Sequence, residues 1–275
     1  MSPKKDMEWS REAEESVRKV PFFVRKRVRE RIEREARDAG KTRITPADVA
    51  ATQARFLAGM SSEVQGYRIE TCFGAGGCPN RAVPSEQLFE RLERVLKKED
   101  LLGFLREHVE GDLKFHHEFR VTLADCPNAC SQPQIRDMGI IGACVPEISG
   151  DECRLCGICV DTCREKAVAL DPVRRGPRIA LETCINCGQC LPVCPSGTIA
   201  EGWRGYRVQL GGRLGRHPQL ARELPGIFKE DQVLEILQEC LKLYKSRSRN
   251  GERFAHLFGQ EDFHAFCRRF CGTTE

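Results

Sequence analysis

The chain has 275 residues, with 44 Lys and Arg against 40 Asp and Glu, a formal net charge of +4, and 16 cysteines. Its mean hydropathy is −0.44, and no apolar run approaches the roughly 20 residues that a spanning helix needs, so a membrane span is not expected. The small net charge, with acids interleaved among the bases, gives no footing for nucleic-acid binding.

The opening stretch MSPKKDMEWSREAEE lacks the apolar core of a secretory signal, so a cytoplasmic protein is expected. Thiols there stay reduced, and the cysteines read as metal ligands or redox groups rather than a disulfide framework.

Residues 1–60 read as a helical module. Val20, Phe22, Phe23, Val28 and Ile32 recur at helical spacing. Thr45-Pro46-Ala47-Asp48 has the form of a helix start, with Thr45 as cap and Asp48 in the first turn. The arginines between Val17 and Arg37 alternate with Glu30, Glu33, Glu35 and Asp38, as on a solvated helix face.

From residue 61 onward strands and helices mix. Tyr67–Glu70 reads as a short strand that runs into a glycine-rich loop from Cys72 to Pro79. Ser85 is expected to cap a helix with Leu88, Phe89, Leu92, Val95 and Leu96 on one face. His116-His117 reads as a solvated turn, and Glu118–Leu123 alternates like a half-buried strand before Cys126-Pro-Asn-Ala-Cys130. Met138–Cys144 is a further strand. Residues 151–200 contain an internal repeat, ECRLCGICVDTCREKAVAL followed by TCINCGQCLPVCPSGTIAE. Tyr206–Leu210 then reads as a strand ending in Gly211-Gly212, and a final amphipathic helix shows Val233, Ile236, Leu237, Cys240, Leu241 and Tyr244 on one side. Without a regular βαβ rhythm, the fold class is α+β.

The repeat carries the strongest chemical signal. Cys153, Cys156, Cys159 and Cys163 are spaced x2, x2, x3, and Cys184, Cys187, Cys190 and Cys194 repeat that rhythm before Pro195. Two-residue gaps let three thiolates of one loop reach three irons of a 4Fe–4S cubane, and a more distant fourth closes the cage. Zinc sites also use paired CxxC but do not need the third and fourth cysteines at this rhythm. In two-cluster ferredoxins the fourth cysteine serves the other cluster. One cluster is therefore assigned to Cys153, Cys156, Cys159 and Cys194, and the other to Cys184, Cys187, Cys190 and Cys163. Gly157 and Gly188 allow close backbone approach.

A second constellation pairs Cys72-x5-Cys78 with Cys126-x3-Cys130. Each pair alone is a weak signal, but together they supply four thiolates, each pair directly after an expected strand, enough for a third cubane. Here a resemblance enters. TCFGAGGCPNR and CPNACSQPQIRDMGIIG resemble the cluster-binding domain of sulfite and nitrite reductases, and the ferredoxin insertion followed by YRVQLGGRLGRHP resembles the dissimilatory sulfite reductase subunits. The resemblance covers about residues 66–260. It implies a siroheme/4Fe–4S domain over 61–150 and 201–275, with a 2x 4Fe–4S ferredoxin domain inserted at 151–200. It also implies that Cys72, Cys78, Cys126 and Cys130 hold the cluster, with Cys130 bridging to the iron of a siroheme. The carboxylates of that group call for cations and N–H donors, for which Arg207, Gly211, Gly212, Arg213 and Arg216 are candidates. Arg81 and Arg136 lie beside the cluster loops. Arg120 and Arg68 are candidates for binding a small oxyanion.

Two departures stand out. VPFFVRKRVRERIEREARDAGKTRITPADVAA resembles the small helical domain of a light-independent protochlorophyllide reductase subunit, and it stands where the reductases carry a β-rich half-domain. Where the family places two lysines around a phenylalanine, this chain has Glu118-Phe119-Arg120. Arg120 keeps one charge, and Glu118 is expected to repel sulfite. Two functional readings follow. One is a siroheme-type reductase or a subunit of one, with its missing pocket wall supplied by another chain of an oligomer or heteromer. The other is a non-catalytic three-cluster electron-transfer subunit of a larger redox complex. Cys144, Cys240, Cys267 and Cys271 are left over. Cys240 reads as core, and Cys267 and Cys271 as a pair of free thiols.

Overall fold

A computed structural model describes residues 7–20 and 22–271, and the chain divides into two units, residues 1–64 with 110–115 and residues 65–109 with 116–275. The first unit holds β1 (Glu8–Trp9), α1 (Arg11–Arg18), α2 (Phe22–Asp38), β2 (Arg43–Ile44) and α3 (Pro46–Glu63), with β1 and β2 paired in parallel. Its core is Ala13, Val17, Ile32, Ala36 and Ile44, with Trp9, Val28 and Val49 packed against them. Val28 and Ile32 thus face inward as their spacing predicts. Phe22 does not: it is exposed, because α2 begins there and turns its first residue outward. The side chain of Phe23 lies outside the described residues. At the start of α3 the Thr45 N–H and hydroxyl both donate to the Asp48 carboxylate, at 2.9 and 2.7 Å, so the turn is closed mainly from Asp48.

The second unit is built on β3 (Tyr67–Thr71), α4 (Glu86–Lys98), α5 (Leu101–His108), β4 (Phe119–Ala124), β5 (Met138–Ile148), α6 (Ile158–Thr162), β6 (Val168–Asp171), β7 (Gly176–Ile179), β8 (Ile199–Leu210), β9 (Arg222–Glu223), α7 (Glu230–Arg247), α8 (Phe254–Leu257) and α9 (Gln260–Phe270). Five strands form one sheet in the order β3-β4-β5-β8-β9. The β3–β4 and β4–β5 pairs are parallel, and the β5–β8 and β8–β9 pairs antiparallel.

Strand alternation gives this sheet two unlike faces. Phe119, Val121, Leu123, Met138, Ile140, Tyr206, Val208 and Leu210 share one face and are buried. α7 covers that face, with the Tyr244 ring 5.6 Å from Phe119 and 5.7 Å from Phe104 of α5. The opposite face carries Arg68, Glu70, Arg120, Thr122, Gln209 and Arg207 in register.

Several expectations need correction. The Ser85 hydroxyl does not cap α4 but donates to the buried Asp125 carboxylate. α7 is not the last helix, since α8 and α9 follow it. His117 is buried rather than solvated, close under Gly251.

Candidate metal centres

The repeat leaves the sheet at the end of β5 and returns at the start of β8, where Ile148 and Ile199 are paired. Its halves follow the same backbone path. Leu155 and Asn186 occupy equivalent positions with φ of 53° and 60°, Gly157 and Gly188 with 78° and 70°, and Lys166 and Gly197 with 54° and 73°. Such left-handed residues turn successive N–H groups inward. The Leu155 N–H reaches Cys153 Sγ at 3.3 Å, Ala167 reaches Cys163 Sγ at 3.3 Å, and Ile199 reaches Cys194 Sγ at 3.4 Å.

The cysteines group across the halves. Burial pushes the Cys159 thiol up, and the nearby sulfurs of Cys194 and Cys153 add to it. Burial pushes Cys190 up to about 12, and the nearby sulfurs of Cys187, Cys184 and Cys163 add to the rise. Cys184 senses Cys187 and Cys163. Cys163, Cys184, Cys187 and Cys190 together line a cavity of about 30 Å³ instead of closing on a point. Buried thiols of this kind stay protonated until a cation draws off the proton. Cys156, by contrast, is exposed.

Cys144 adds to the left-handed φ of 70° a second reason for glycine at residue 188. The Cys144 N–H donates to Asn186 O at 2.7 Å, tying β5 to the second loop. A Cβ on Gly188 would lie 2.9 Å from that of Cys144. The sequence signal for this contact was only the leftover cysteine itself.

The other constellation grows from the sheet. β3 and β4 are parallel neighbours, so Cys72 and Cys126 emerge at the same end. Burial pushes the Cys126 thiol up and the Asn128 N–H pulls it down, while Cys130, Cys72 and Cys78 all lie near enough to push it up again. N–H groups of Gly74 and Asp125 point at Cys72 Sγ, at 3.4 and 3.3 Å, and Asn128 Nδ2 at Cys130 Sγ at 3.0 Å. Cys130 is the exposed member of the four. Asp125, which no motif marked, organises this corner. Its carboxylate accepts from Arg81 Nε at 2.6 Å, and its carbonyl accepts the N–H groups of Ala82 and Val83 at 2.9 and 3.0 Å. A cavity of about 580 Å³ separates the Cys126 loop from Cys163 and Cys187.

The candidate arginines fare differently. Arg68 and Arg120 are register partners on the polar face. Arg68 pairs with Glu70 at 2.6 Å, and Glu70 also takes Arg136 at 3.0 Å. Burial and the guanidinium of Arg253 push the pKa of Arg120 down, with Arg136 adding to them and Asp137 opposing. Asp137 is buried and accepts the Arg120 N–H at 3.0 Å and Arg253 Nη2 at 3.1 Å. Burial raises its pKa while Arg253 lowers it. The Nε atoms of Arg136 and Arg253, Thr122 Oγ1 and Gln209 Oε1 are buried without an acceptor or donor. The two Nε donors and the Thr122 hydroxyl, though not the Gln209 oxygen, fit a polycarboxylate or an oxyanion. Glu118 is buried and accepts the Gln65 N–H at 3.0 Å, so its carboxylate is tied to backbone. Arg207 is held by Glu223 through two bonds of 2.7 and 2.8 Å. The N–H groups of Gly211 and Gly212 go to Asp137 O and Arg136 O. Arg213 reaches His217 O and Ala255 O, and Arg216 is exposed. Arg253 and Asp137 were not singled out by sequence, since neither lies in a spaced motif.

Comparison with known proteins matches the nitrite and sulphite reductase 4Fe-4S domain to residues 66–270. The chain belongs to that family. It is thus an iron–sulfur protein of the sulfite/nitrite reductase type, and the N-terminal segment 9–53 matches the proto-chlorophyllide reductase 57 kD subunit family. Among curated relatives of this reductase family, the coenzyme F420-dependent sulfite reductase of Methanocaldococcus jannaschii is 24% identical over 182 residues, covering 66% of this chain and 27% of that protein. An anaerobic sulfite reductase subunit of Salmonella typhimurium is 25% identical over 215 residues, covering 76% of this chain and 57% of that one. The chain therefore spans about a quarter to just over half the length of these relatives. The crystal structure of dissimilatory sulfite reductase I superposes with a TM-score of 0.51 at 16% identity, covering 81% of this chain and 57% of that one, which supports the α+β fold of this reductase-family chain. No helix among the described residues is long and apolar enough to cross a membrane.

Proposed function

We propose that this chain is a siroheme-type sulfite or nitrite reductase, or a subunit of one, organised as a helical module, a split reductase domain and an inserted ferredoxin domain. Three 4Fe–4S clusters would be held by Cys153, Cys156, Cys159 and Cys194, by Cys184, Cys187, Cys190 and Cys163, and by Cys72, Cys78, Cys126 and Cys130. The observation that supports the reading is the third set: Cys72 and Cys126 leave the same end of the sheet, the sulfurs of Cys130, Cys72 and Cys78 lie near that of Cys126, and Cys130 is exposed. Siroheme, when bound, would supply an iron at which a small anion is reduced by electrons arriving singly. Cys130 would bridge to it, and the unpartnered Nε groups of Arg136 and Arg253 would meet its carboxylates. Arg68 and Arg120 would attract the anion. Cys126, Cys163 and Cys187 line one cavity, which supports a relay in which the Cys163/184/187/190 set would be the nearer donor to the third centre and the Cys153/156/159/194 set the outer one. The protein would work in the cytoplasm within a heteromer, as the Salmonella relative is one subunit of its enzyme.

Iron analysis and the visible spectrum of the anaerobically purified native complex test this. About twelve irons per chain from three cubanes, plus one from siroheme, are expected, with a long-wavelength chlorin band besides the broad cluster absorption. Cys130→Ser should weaken that band and one cluster together, and Cys159→Ser should spare the band. Twelve irons with no tetrapyrrole would remove siroheme and leave a three-cluster electron relay.

A further inference from the structure

The hairpin of β6 and β7 supplies no cysteine itself; Val168 and Ile179 pack it against Cys159 and Cys190, and its far end lies against the outer set. A Cβ on Gly176 would stand 4.0 Å from Cys153 Cβ. Its tip points into water: Val173 is 89% exposed, and Arg174, Arg175 and Arg178 are exposed around it. Asp171, the acid of this hairpin, is turned into the tip, where it accepts the N–H groups of Val173 and Arg174 at 2.9 and 3.0 Å. Arg174 approaches its other oxygen only at 3.9 Å with a largely exposed side chain, a contact that neutralises little. In the adjoining loop Leu155 and Ile158 are 40% and 44% exposed on either side of the exposed Cys156.

Small apolar centres with a charged rim are what brief electron-transfer encounters use, since opposite charge speeds the encounter while a small area lets it end. We propose that the β6–β7 tip, with Leu155 and Ile158, docks a small acidic one-electron carrier protein. The three arginines choose the sign of that partner, and the apolar side chains give it a dry contact beside Cys153 and Cys156. In the transfer the carrier is oxidised by one electron and iron held by the outer set is reduced by one, with no bond or proton moving. This rests on the cluster reading above.

Stopped-flow reduction of the full chain, followed at the cluster absorbance, tests it with two reductants. One is a reduced acidic plant-type ferredoxin, the other photoreduced deazaflavin, a small uncharged donor. The triple variant Arg174→Glu, Arg175→Glu, Arg178→Glu should slow the ferredoxin reaction about tenfold or more and flatten its fall with added salt. Its reaction with deazaflavin should match the parent's. Val173→Ser should slow the ferredoxin reaction and leave the salt slope unchanged. Equal rates and equal salt slopes for parent and triple variant, with both bleached by deazaflavin, would overturn the docking surface alone. A parent chain without the broad cluster absorbance before mixing holds no clusters, and that result removes the cluster reading and the docking surface together.

Discussion

Gly188 and Gly157 occupy the same position in the two halves of the repeat, both left-handed, but only one is crowded. A Cβ at 188 meets Cys144 at 2.9 Å, while at 157 it meets nothing within 4 Å. Gly157→Ala should therefore cost about 1–2 kcal/mol from backbone strain alone. Gly188→Ala adds a collision with the strand that anchors the loop, and it should lose one cluster's worth of iron. Iron content and melting temperature of the two variants, side by side, check this; equal losses would show that Cys144 does not set the spacing. The eight cysteines of the repeat could be proposed as cluster ligands from spacing alone, whereas Cys72, Cys78, Cys126 and Cys130 needed the two pairs together and the family resemblance. Asp125, Cys144, Asp137 and Arg253 were not, since each gains its role from a neighbour far away in sequence, as Arg253 does from Asp137.

At the scale of the element, α7 could be read because all six residues of its apolar stripe face the sheet and are buried. β8 was read at only its second half. Its first half, Ile199–Arg204, is mostly exposed and shows no alternation, and it is a strand because β5 lies beside it. α5 gave no separate signal, as it is split from α4 by Asp100 at φ 44°. The start of α3 carries an acid-sensitive contact. The hydrogen bond from Lys41, then those from Thr45, hold Asp48 down to about 2, and the hydrogen bond from Arg55 first among several holds Glu35 down to about 2. A depressed carboxyl adds stability above its unfolded pKa of about 4 and loses it as pH falls through about 2. In a Trp203→Phe chain, the remaining Trp9 should report a lower urea midpoint for its unit at pH 2.5 than at pH 5. Asp48→Asn should begin lower and lose part of that pH dependence. Superimposable pH dependences in the two chains would contradict the role given to Asp48.

At the scale of the whole chain, the proposed crossing of fourth ligands would make each half of the repeat depend on the other. Cys163→Ser should damage the centre built by Cys184, Cys187 and Cys190 and leave the signal of the other set intact; low-temperature EPR of the reduced variant distinguishes the two. Damage confined to the Cys153/156/159 centre would disprove the crossing. The α+β class was legible from the mixture of patterns, and the strand order was not, because parallel partners such as β3 and β4 are separated by two helices.

The pairing of Ile148 with Ile199 also bears on how such a chain is assembled over evolutionary time. The insert begins and ends at residues that face each other across one strand pair, about 5 Å apart. It is therefore topologically the loop of a hairpin, however large. A stretch bounded in this way can be gained, lost or exchanged in a single genetic event without re-threading any strand of the sheet that carries it. The wiring of this molecule is in that sense a detachable cartridge, and the sheet is the socket.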